Sequence, residues 1–288
     1  MSFSKPLINP PPGVYLKTLG YSSTSVGMVR DSNQDSHMMD SGLGLFIVAD
    51  GMGGRAGGEI ASQLAIETIS SVFSANLSAL VTRDMPARRA LMGQIINAAA
   101  LKIYERALEM PEYRGMGTTC TVLWVPTAET VHEGVGSDEL VQALSCTALV
   151  AHVGDSRCYL LRSGLLYRVT DDHSLVNEKI KAGLLKKGDP MVSQMKNVIT
   201  RCVGYQEEEE IDTFVVPICH GDRFLICSDG LTNKVEDVEI SKQLGQEHLS
   251  EVPENLVTLS NTRGGEDNIT VVVVEVQVVG NHMQDEFR

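Results

Sequence analysis

The chain has 288 residues, a formal charge of −13, 43% hydrophobic residues and 21% charged residues. That length can bury a substantial core as one large domain or two small ones. The acidic balance excludes nucleic acid as the main partner, because no basic stripe is available to neutralise phosphates.

From the N-terminus, Met1 to about residue 18 reads as an extended arm, since Pro10 to Pro12 exclude helix. It lacks the apolar stretch of a signal peptide. Leu45 to Ala49 is a buried strand. A helix follows on the spacing of Ile60, Ala61, Leu64, Ala65, Ile69 and Phe73, and a second on Met92, Ile96, Ala99, Ile103 and Ala107. Strands then dominate: Thr118 to Val125, Thr147 to Val153, Cys158 to Arg162, Leu166 to Val169, Phe224 to Cys227 and Thr270 to Val279. Arg162-Ser163-Gly164-Leu165 reads as a hairpin turn. Grouped helices among many strands favour stacked α+β layers over a doubly wound parallel sheet.

Three segments stand apart. Thr127 to Leu140 reads as an acidic surface loop, and residues 171–204 as a polar flap with helix near Ser174 to Ala182. Glu207 to Glu210 reads as a solvated acidic edge. Residues 280–288 form a C-terminal tail. The six cysteines contain no C-x-x-C pair and lie mostly in apolar runs, as reduced thiols in a cytoplasmic protein would. No window is long and apolar enough to cross a bilayer, so no membrane partner is expected.

The chemistry gathers at four places where an aspartate stands beside an apolar run: LFIVADGMGG, LVAHVGDSR, FLICSDGLT and GGEDNITVVVV. Asp50, Asp155 and Asp229 follow strand candidates, and Asp267 precedes one. Any single Asp-Gly is ordinary turn chemistry. Several carboxylates at adjacent strand tips would repel one another, and bound cations relieve that repulsion. Oxygen donors of this kind suit Mg²⁺ or Mn²⁺ and not zinc.

Other chemistries fit less well. Gly51-x-Gly53-x-x-Ala56 copies part of a dinucleotide-binding fingerprint, but no acid lies between Thr68 and Arg83 to hold a ribose. No cysteine has an arginine six positions on, as a thiol phosphatase requires, and no G-x-S-x-G elbow occurs.

The ordered set Val29 to Asp35 (VRDSNQD), ADGMGGRAGGE, GMGTT, GDSR, SDGLT and GGEDNIT resembles the PP2C (PPM) family of metal-dependent protein serine/threonine phosphatases, in its compact bacterial form. The likeness runs from about Leu19 to Val279 and defines a domain over 19–279. It implies a four-layer αββα sandwich, two central antiparallel sheets flanked by helices, with the metal centre at one end. By the same resemblance Asp50 bridges two Mn²⁺ or Mg²⁺ ions, the Gly51 carbonyl binds one, and Asp229 and Asp267 hold the other. A third, weaker ion would sit at Asp155 and Asp229. Asp35 would support the site through metal-bound water, and Arg30 would grip the substrate phosphate with its planar fork.

The implied reaction is direct attack by a hydroxide bridging the ions, without a phosphoenzyme. Met52 stands where some relatives have histidine, so the leaving group's proton is expected from metal-bound water, with His173 as the other candidate. The implied partners are phosphorylated proteins, such as a serine/threonine kinase or its substrates, met by a monomer. Ser156 and Arg157 are expected to orient the Asp155 turn, Asn268 to brace Asp267, and the threonines after Gly117 to pack in the core. The competing reading is a catalytically silent module that binds phosphoproteins or senses metal.

Overall fold

The computed structural model describes residues 14–54, 57–127, 130, 147–186, 188–195 and 198–280. In chain order the elements are β1 (Val14–Ser25), β2 (Asp35–Asp40), β3 (Leu45–Met52), α1 (Gly57–Ala75), α2 (Leu77–Thr82) and α3 (Met85–Glu109). Then come β4 (Gly117–Thr118), β5 (Cys120–Trp124), β6 (Thr147–Val153), β7 (Arg157–Arg162) and β8 (Leu165–Arg168). The remainder comprises α4 (Leu175–Lys181), α5 (Pro190–Met195), β9 (Asp212–Pro217), β10 (Arg223–Cys227), α6 (Asp229–Thr232), α7 (Asp237–Leu244), α8 (Val252–Thr262) and β11 (Ile269–Gly280).

The strands form two antiparallel sheets. One runs β1-β11-β10-β7-β8 and the other β2-β3-β5-β6-β9, with β4 pairing β3. The period-two alternation of a strand divides each apolar run between two layers. In β3, Phe46 and Val48 face the other sheet while Leu45, Ile47 and Ala49 face the helices. In β11, Val272, Val274 and Val276 fill the space between sheets, and Val271 and Val273 meet α7 and α8. Burial on both faces explains why these strands read as continuous apolar runs. The result is the four-layer αββα sandwich.

Met92, Ile96, Ala99 and Ile103 are fully buried on one face of α3. That helix starts where Asp84 accepts a hydrogen bond from the Ala87 N–H at 3.0 Å. The 162–165 turn joins β7 to β8, with Ser163 and Gly164 at φ 51° and 78°, as a two-residue hairpin loop demands. Ser174 caps α4 inside the flap, its side chain accepting from Asn177 N–H.

The segment up to residue 18 is not all extended arm, contrary to what the sequence suggests. Residues 14–18 belong to β1, which pairs with β11 over its whole length, from Val14 opposite Gly280 to Ser25 opposite Ile269. Leu16 is only 2% exposed. The prolines bar helix as far as Pro12, but the V-Y-L-K-T alternation after them is that of a strand. Most of the arm (1–13), the tail beyond Gly280 and most of the acidic loop lie outside the described residues. Among the described residues no helix is long and apolar enough to cross a membrane.

Candidate metal centre

The strand ends set the site. Asp35 opens β2 directly opposite Asp50 near the end of β3. Asp155 lies in the turn after β6, Asp229 just beyond β10, and Asp267 just before β11. Because Cys227 is paired with both Val271 and Arg157, these turns share one end of their sheet.

Proximity is registered in the acid–base behaviour. Burial pushes the Asp35 carboxyl up to about 7, with Asp229 and Asp267 adding to the shift against hydrogen bonds from Thr270 and Ser228. Asp50 is raised well above the usual carboxylate range, first by burial and then by Asp35, Asp229, Asp155 and Asp267. Asp155 is pushed up to about 8 by burial and by Asp229 and Asp172. Five aspartates from separate segments therefore share one field.

Among the described residues, no three acidic, histidine or cysteine side chains are drawn around a single point as ligands of one ion would be. Asp267 Oδ2 accepts from Arg30 at 2.7 Å, Asp35 Oδ2 from Ser228 Oγ at 2.7 Å, and Asp229 Oδ2 from Asn233 at 2.9 Å. Yet Asp35 Oδ1 and Asp155 Oδ1 are buried without a hydrogen-bond partner. Buried carboxylate oxygens in that condition need a proton or a cation. An all-oxygen set with spare buried acceptors and mutual repulsion fits hard divalent ions.

Gly51 is required where it stands. A Cβ there would lie 2.0 Å from the Gly58 carbonyl oxygen and 2.5 Å from that of Gln34. Its N–H donates to Gln34 O at 3.1 Å, tying β3 to the residue before Asp35.

The supporting residues are more extensive than the sequence indicated. Thr118 and Thr119, expected only to pack, clamp the Asp50 backbone. Thr119 Oγ1 accepts the Asp50 N–H at 2.9 Å, and the Thr118 hydroxyl and Thr119 N–H donate to Asp50 O at 2.9 and 2.8 Å. Thr119 Oγ1 also pairs with Ser156 Oγ at 2.7 Å, so one hydroxyl joins the Asp50 and Asp155 segments. Thr119→Val leaves the Asp50 N–H and the buried Ser156 hydroxyl short of a partner, a loss of about 1–3 kcal/mol. The expected fall in Tm is about 3–10 °C by thermal denaturation, with most of the stability restored in Thr119→Ser. A valine variant melting with the parent would show that this bond contributes nothing.

Asn268 does more than brace Asp267. Its amide donates to Val26 O and Ser32 O, both at 2.9 Å, and its Oδ1 accepts Gln34 N–H at 2.8 Å. It thereby holds the loop that carries Arg30. Arg30, with half of its side chain exposed, borders a cleft of about 480 Å³ lined also by Ser32, Gln34, Gly53, Glu59 and Asn268. Arg157 forks onto Asp172 at 3.0 and 2.8 Å, joining the Asp155 turn to the start of the flap. His173 is not free to donate a proton to a leaving group. Its Nδ1 accepts the Gly154 N–H at 3.2 Å and its Nε2 pairs with Asp212 Oδ2 at 3.2 Å.

Comparison with known proteins agrees with this architecture. The family model described as Protein phosphatase 2C matches residues 20–260. The serine/threonine phosphatase stp of Listeria monocytogenes is 34% identical over 256 residues, covering 88% of this chain and 93% of the relative. Protein phosphatase PhpP of Streptococcus pneumoniae is 34% identical over 257 residues, covering 88% and 95%. The crystal structure of the catalytic domain of the serine threonine protein phosphatase PstP in complex with two manganese ions superposes with a TM-score of 0.73 at 29% identity, over 91% of this chain and 99% of that one. The chain belongs to the protein phosphatase 2C family.

Proposed function

We propose that the chain hydrolyses phosphoserine and phosphothreonine in phosphorylated proteins, with Asp50, Gly51, Asp229 and Asp267 holding two Mn²⁺ or Mg²⁺ ions and Asp155 serving a third with Asp229. The chain is a metal-dependent phosphoprotein phosphatase. The observation that supports the residue assignment most is the shared field of five aspartates, with buried unpartnered oxygens on Asp35 and Asp155, beside the Arg30 cleft. Such ions, when bound, supply an acidified water as nucleophile and neutralise charge on the phosphoryl oxygens.

The chain's own residues supply the rest. Arg30 rests on Asp267 in a half-exposed ion pair, and such pairs are worth at most about 1 kcal/mol. It can therefore turn its fork to a phosphate, whose two oxygens match the guanidinium donors. Asp35 is held by Ser228 and keeps its other oxygen buried and unpartnered, so in this reading it orients groups at the centre. Met52 can donate no proton, and His173 is engaged on both nitrogens. Cytoplasmic phosphoproteins, including a serine/threonine kinase or its substrates, are the partners in this reading, and one chain carries the whole site.

Hydrolysis of p-nitrophenyl phosphate with and without Mn²⁺ tests the reading against a silent binding module. Absence of Mn²⁺-dependent turnover in the parent chain would sink it. Arg30→Ala is expected to lower kcat/KM for a phosphopeptide about 10- to 100-fold, mainly through KM, because a charge-assisted contact is worth about 1.5–3 kcal/mol. Mn²⁺ affinity should stay within about threefold, since the lost pair is weak. Parallel loss of Mn²⁺ binding would remove Arg30 from its assigned role.

A further inference from the structure

The turn that carries Asp155 is fixed by the flap. His173 N–H donates to the Gly154 carbonyl at 2.7 Å, and Gly154 N–H donates back to His173 Nδ1 at 3.2 Å. Since Nδ1 accepts, a neutral ring carries its proton on Nε2, which faces Asp212 Oδ2 at 3.2 Å. Asp212 is the first residue of β9, and its other oxygen takes Arg201 at 3.1 Å. Thr200, beside Arg201, donates its N–H to His173 O at 2.8 Å. Both ends of the flap thus meet at one histidine, 7% exposed.

The ring is packed as well as hydrogen-bonded. His152 packs against it with centroids 4.9 Å apart, and is itself held by Thr121 Oγ1 at 3.0 Å and Asp171 O at 3.2 Å. Gly154, by contrast, has no side chain to fix it. Its φ of 108° suits glycine, and a Cβ would strike Thr119 at 2.6 Å. The direction of the next residue's carboxylate therefore depends on what grips the Gly154 peptide. That residue is Asp155, 7% exposed, with Oδ1 buried and unpartnered.

We propose that His173 is a positioning residue: by gripping Gly154 on two sides it aims the Asp155 carboxylate at a divalent cation, and it makes that aim depend on the flap being seated. The inference rests on the reading of Asp155 as a metal-binding residue. It gives His173 a role through hydrogen bonds to main chain and not through proton transfer. Outer-shell partners of ligands typically change metal affinity about 10- to 100-fold.

The test counts bound Mn²⁺ in the full chain from the free-ion EPR signal, a readout independent of turnover. Asp155→Asn, His173→Asn, His173→Gln and the double variant Asp155→Asn/His173→Gln are compared with the parent. Asparagine can keep an acceptor for the Gly154 N–H but falls short of Asp212. Glutamine can reach Asp212 but loses the acceptor. Asp155→Asn and His173→Gln are each expected to weaken the loosest Mn²⁺ by about tenfold or more, and His173→Asn by under about threefold. The double variant should be no weaker than Asp155→Asn alone.

If Asp155→Asn weakens Mn²⁺ binding while both His173 variants match the parent, the inference falls and the Asp155 reading stands. Unchanged binding in Asp155→Asn overturns both. Additive losses in the double variant also overturn the inference, because they mark general loosening. Asp212→Asn, at a half-buried position, provides the test if the histidine variants do not fold. It should speed hydrogen exchange of flap amides and weaken the loosest ion about threefold, and parent-like behaviour in both would refute the link.

Discussion

Asp50→Asn is expected to lower kcat/KM by about 100- to 1000-fold, while raising the melting temperature of the metal-free protein. The two effects have one cause. Asp50 is placed where burial and four other aspartates raise its carboxyl well above the usual range, so the fold bears a penalty for keeping it ionised. Asparagine has the shape of the neutral acid and takes up no proton. Its backbone partners, Thr118 and Thr119, are untouched by the change.

Relief equivalent to a single pKa unit is worth about 1.4 kcal/mol, or about 3–6 °C in a domain of this size. With Mn²⁺ present the order should reverse, because the variant forfeits stabilisation by the ion. Differential scanning calorimetry with chelator and with excess Mn²⁺, alongside kinetics, checks both signs. Turnover within tenfold of the parent, or a lower Tm in chelator, would mean that Asp50 is not the hub of this cluster.

The sequence made the tips of the strands visible and left their supports obscure. LFIVADG and FLICSDG announce themselves because buried strands read as unbroken apolar runs, and the aspartate marks where the run meets water. DSHMMD lacks a clean alternation, so neither β2 nor the register that sets Asp35 opposite Asp50 is legible in the sequence. β9 was hidden likewise, as a short half-exposed strand following the acidic run Glu207 to Glu210. The short helices α6 and α7 span too few turns to show a period.

Thr119, Ser228 and His173 were harder still. Each acts on a residue 69, 193 or 19 positions away, and a small polar residue in an apolar neighbourhood looks like packing until its partner is known. The resemblance placed the aspartates in a family. The structure adds how this chain holds them, through the Asn268 fan under Arg30 and the threonine clamp on Asp50. It also adds the pairing of Arg30 with Asp267, which no motif encodes.

Chelation of divalent ions is expected to lower Tm by about 5–10 °C at pH 8 and by under about 2 °C at pH 4.5. Saturating an ion site at a hundredfold excess over Kd stabilises by about 2.7 kcal/mol, and a kcal/mol moves Tm by about 2–4 °C in a domain of this size. The pH dependence comes from the carboxyls. Without metal, Asp35 and Asp155 hold protons up to about 7 and 8, whereas the unfolded chain releases them near 4.

A carboxyl raised on folding leaves the fold unpenalised at low pH. Between about 4 and 8 the unfolded chain binds fewer protons at these two carboxyls than the fold does, so their contribution to metal-free stability declines as pH rises through that window. Cations replace those protons, so Mn²⁺ binding should release protons at pH 6–7 and the metal-bound form should lose little stability across the same range. Calorimetric titration in two buffers of different ionisation enthalpy measures the release directly. A gap between chelated and Mn²⁺-bound Tm that is flat from pH 4.5 to 8, with no proton release, would show that these carboxyls do not compete with the ions for the same oxygens.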